Sequence, residues 1–138
     1  MKIISVDYIT NYSNENTDHN MDSKNKTELQ KCQSLLELPE IRFAGFLDYM
    51  GNLIVGDFKS GVTPLKNEGE RKKMFVEAIL RIRTRQDFDD NLGPVEYAAA
   101  RRKNVVTMSI PFENNALFVV AKSDVDIDKT ARKILDLL

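Results

Sequence analysis

Enzymatic chemistry needs reactive side chains within reach of one another, and this chain offers few. A nucleophile requires a base at hydrogen-bond distance. The only histidine, His19, falls in a polar leader, and the only cysteine, Cys32, recurs with Leu29, Leu35 and Leu36 on a helical stripe. A cysteine so placed acts as a small hydrophobe, since nothing nearby would stabilise its thiolate. No serine sits in a nucleophile elbow. Asp124, Asp126 and Asp128 alternate like the opening of a calcium loop, but Lys129 stands where that loop needs glycine and Leu135 where it needs glutamate. Asp126 or Asp128 is better read as a helix cap. No glycine-rich phosphate loop is present. The sequence assigns no catalytic residue, calls for no metal or cofactor, and reads as a non-enzyme.

The basic residues carry more information. Arg81 and Arg85 lie one helical turn apart, with Arg83 on the opposite side. Glu77–Arg81, Arg83–Asp87 and Arg85–Asp89 stand four residues apart, contributing about a few tenths of a kcal/mol each when exposed. That describes a solvated, salt-bridged face. Arg101, Arg102 and Lys103 end a strand that begins near Tyr97. Arg81, Arg85, Tyr97, Arg101, Arg102 and Lys103 are therefore the expected partner-binding residues, suited to an acidic partner or a phosphate-bearing ligand. Nucleic acid is disfavoured, because Asp87, Asp89 and Asp90 lie nearby and no aromatic residues interleave the basic ones. The formal net charge of −1 gives no general attraction to nucleic acid or membrane.

These residues sit on elements readable from periodicity. The long stretch from Asn67 to Leu92 is the centre: Phe75, Ala78, Ile79 and Ile82 form one helical face, flanked by Met74 and Phe88. Asn67 caps it with Glu70 as capping-box partner, and Gly93-Pro94 stops it. Before it come a helix over 24–38, ended by Pro39, and a hairpin of Ile41–Asp48 and Leu53–Lys59 across Tyr49-Met50-Gly51-Asn52. Gly45 and Gly56 within those strands predict a bulge or a close approach, taken here to be a crossing helix. After it come strands 95–102, 105–112 and 116–122, then an amphipathic helix carrying Ile127, Ala131, Ile134, Leu135 and Leu138. Leu117-Phe118-Val119-Val120 is apolar on both faces, as a central strand should be. Tyr97, Ala99 and Arg101 share one face of their strand, while Ala98 and Ala100 line the other, small enough for a helix or a second protomer to approach.

The length of 138 residues suits one domain. Residues 10–26 have the composition of a flexible linker, so a tail over 1–21 and a domain over 22–138 are expected. That leader is either an appended tail or a misassigned start. A lone cysteine, no apolar run near ~18 residues and no secretory leader point to the cytoplasm. The economical architecture is α+β: one five-stranded antiparallel sheet in the order 2-1-5-4-3, with the long helix on one face and the two shorter helices on the other.

With its hairpin Arg42-Phe43-Ala44-Gly45-Phe46-Leu47-Asp48-Tyr49-Met50-Gly51-Asn52-Leu53-Ile54-Val55, this order of elements resembles the roadblock/LC7 family and its profilin-like relatives over 28–138. Ile41-Arg42-Phe43-Ala44-Gly45 and Leu92-Gly93-Pro94-Val95-Glu96-Tyr97-Ala98 also look like a group of uncharacterised small archaeal proteins. The resemblance implies a homodimer, joined through the edge strand after the long helix and through the paired long helices, that serves as a scaffold or regulates a small GTPase. A small-ligand sensor of PAS or profilin-like type is the alternative, with a pocket lined by Phe43, Gly45, Leu47, Val55 and Met108. Weak nucleic-acid binding through the arginines is the third reading.

Overall fold

The computed structural model describes residues 23–62 and 67–138. The tail expected over 1–21 lies outside the described residues. Helix α1 (Ser23–Leu36) leads into the hairpin β1 (Ile41–Leu47) and β2 (Leu53–Phe58). Helix α2 (Glu68–Gln86) and a single turn α3 (Asp89–Leu92) follow. The meander β3 (Ala98–Arg101), β4 (Val105–Phe112) and β5 (Asn115–Lys122) and helix α4 (Ile127–Leu137) complete the chain. All five strands join one antiparallel sheet in the predicted order β2-β1-β5-β4-β3.

The sheet buries both faces. On one, Ala44, Phe46, Val55, Val106, Met108 and Val119 meet Cys32 and Leu35 of α1 and Ala131 and Ile134 of α4. On the other, Phe43, Leu47, Phe58, Phe118 and Val120 meet Phe75, Ala78 and Ile79 of α2. The rings of Phe43, Phe58, Phe75 and Phe118 cluster there with centroids 4.7 to 6.3 Å apart. Each such side chain withdrawn from water contributes about 1.5–3 kcal/mol, so α2 is held by its aromatic contact more than by its own propensity. Asn67 caps it as expected, its side chain accepting from the Glu70 N–H at 2.9 Å.

Four local expectations change. The long helix stops at Gln86 instead of running to Leu92. Phe88 takes φ −106° and ψ 12°, and a new turn begins at Asp89. Acids oppose the negative end of a helix dipole and suit its positive end; the break moves Asp89 and Asp90 from the first situation to the second. Helix α1 ends at Leu36, two residues early, since the residue before a proline is steered away from helical geometry. Strand β3 starts at Ala98 instead of Val95, because Glu96 and Tyr97 are drawn to α4 by Arg132 and Asp128. Finally, Gly45 and Gly56 are not where a helix crosses. They are register partners, and a Cβ on Gly56 would lie 2.7 Å from the Gly45 Cα and 2.9 Å from the Ala44 oxygen. The glycine that meets a helix is Gly51, at φ +84°, whose Cβ would lie 2.9 Å from the Val76 Cα of α2.

Candidate interaction surface

The structure divides the predicted partner-binding residues between the two faces of the sheet. Arg81 and Arg85 lie on α2, where Arg81 pairs with Glu77 and Arg85 donates to the Arg81 carbonyl at 3.2 Å. The pairs expected for Arg83 and Arg85 with Asp87 and Asp89 give way to other partners. Arg83 reaches the Asn114 carbonyl at 3.4 Å and lies 5.9 Å from the centre of the Tyr49 ring. Tyr97 and Arg101 face α4 on the other side of the sheet. The Tyr97 hydroxyl donates to Asp128 at 2.7 Å, and that bond pushes its ionisation above the ordinary value. Arg101 donates to the carbonyls of Ser123 and Val125, pinning the loop that leads into α4. Arg101 is thus occupied within the fold. Arg102 and Lys103 project from the exposed turn between β3 and β4.

The five residues expected to line a pocket do not share one. Phe43 and Leu47 face α2, whereas Val55 and Met108 pack beneath α1 and α4. A Cβ on Gly45 would lie 2.8 Å from both Leu53 and Phe43 side-chain atoms, so no room is left above it. A groove of about 560 Å³ opens elsewhere, between the first turns of α1, Phe112–Glu113 and Leu138.

Cys32 is buried as expected, and burial pushes its thiol well above the ordinary value, with Glu28 and Asp57 adding to the shift. The two carboxylates were not singled out by the sequence, although Glu28, Cys32 and Leu35 follow one another at helical spacing on the buried stripe. Burial and acidic neighbours both disfavour the thiolate, the form in which a cysteine acts as a nucleophile. Asp126 caps α4, accepting from the Lys129 N–H at 3.0 Å. Among the described residues no group of three His, Cys, Asp or Glu side chains is arranged to hold a metal ion.

Two features stand at the surface. The first is the outer edge of β3, paired only to β4, with its alanines half-buried. Register puts Ala98 and Ala100 opposite Ser109 and Thr107, on the α2 side. The second is the turn between β1 and β2, absent from the sequence-based site. The Asp48 carboxylate accepts from the N–H groups of Met50 and Asn52, each at 2.9 Å, and from the Asn52 side chain at 3.0 Å. Burial works against its charge, but those donors and nearby Lys72 outweigh it, so Asp48 titrates below its ordinary value. The turn is rigid, and Tyr49 and Met50 at its tip are exposed. The signal for it was an acid two and four residues before backbone donors, in a turn containing glycine.

No helix among the described residues is long and apolar enough to cross a membrane. No curated protein matches the chain. Solved structures do. A roadblock/LC7 domain from Streptomyces avermitilis superposes with a TM-score of 0.62 at 12% identity, covering 79% of this chain and 89% of that one. The gliding protein MglB from Thermus thermophilus gives 0.65 at 10% identity, covering 85% and 89%. MglB of Myxococcus xanthus gives 0.58 at 9%, covering 85% and 94%. The fold is that of the roadblock/LC7 domain, and with residues 21–138 matched by its model, the chain belongs to the family described as a family of unknown function, DUF6659.

Proposed function

We propose that this protein is a non-catalytic, homodimeric interaction module that acts as a scaffold or regulator for a small GTPase. The observation that carries the reading is the outer edge of β3, paired only to β4, beside a sheet face capped by α2, in a fold shared with a roadblock/LC7 domain. Antiparallel pairing of two such edges would extend the sheet across the two protomers and complete the burial of the half-buried alanines of each. A related fold, MglB, is known in a tetrameric arrangement. The filled core on both faces of the sheet and the burial of Cys32 favour a binding role over a sensor or an enzyme.

The test is light scattering on the full chain, combined with binding of purified small GTPases in their GDP and GTP-analogue forms. A dimer that binds one nucleotide form more tightly supports the reading. A strict monomer overturns the dimer, and equal failure of both nucleotide forms to bind overturns the GTPase assignment.

A further inference from the structure

We draw no further inference here: the strongest candidate, the groove between the first turns of α1, Phe112–Glu113 and Leu138 with the buried Glu28 in its wall, lies at a helix N-terminus, and nothing in the structure shows what covers it.

Discussion

Asp48 shows how one side chain can shape a surface. Its carboxylate gathers three donors from the turn it precedes, and its ionisation is lowered as a result. Such a group stabilises the fold above its unfolded value, and that stability is lost as pH falls through the lower folded value. Replacing Asp48 by Ala should cost about 1–2 kcal/mol at neutral pH. It should also flatten the acid limb of a plot of thermal midpoint against pH below about pH 4. An unchanged acid limb would mean that other carboxylates control acid unfolding. Cys32 illustrates the opposite case, a reactive residue type disarmed by its surroundings, with burial first and two acids second.

At the scale of elements, the hairpin and α2 depend on close backbone approach. Gly56 faces Gly45 across β1 and β2, and a methyl group on either meets atoms already in place. For Gly56 those atoms belong to the backbone, which cannot turn aside. Gly56→Ala should therefore destabilise the protein by about 1–3 kcal/mol in denaturant unfolding. Gly61→Ala, where nothing lies within 4 Å but φ is +84°, should cost only the smaller penalty of its left-handed backbone. If the two variants were equally stable, crowding between β1 and β2 would not be what requires glycine. The break after Gln86 belongs to this scale as well. Apolar periodicity carries α2 through Ile82, but beyond it Phe88 is exposed and contributes nothing to the aromatic cluster that holds the helix down.

At the scale of the molecule, the sheet divides the packing. Helices α1 and α4 pack on one face and α2 on the other, and the outer edge of β3 is left without a strand partner. The family match begins at residue 21, and we propose that the domain proper does too. Deleting residues 1–20 should leave the thermal midpoint within about 2 °C of the full chain; a large drop would show that the leader packs against the domain.

The sequence by itself determined the order of the elements, the strand order, the capping of α2 by Asn67, the capping of α4 by Asp126 or Asp128, and the burial of Cys32. Those follow from periodicity, turn chemistry and short-range hydrogen bonding, which act between near neighbours in the chain. Only the tertiary structure decided which residues meet. It separated Tyr97 and Arg101 from Arg81 and Arg85, because Arg101 of β3 and Tyr97 just before it turn toward α4 while α2 lies on the opposite face. It split Phe43 and Leu47 from Val55 and Met108 for the same reason. It brought the β1–β2 turn onto α2, some twenty-five residues on, through the packing of Gly51 on Val76. Contacts at that separation depend on how two faces of a sheet are covered, and no local pattern in the chain encodes that.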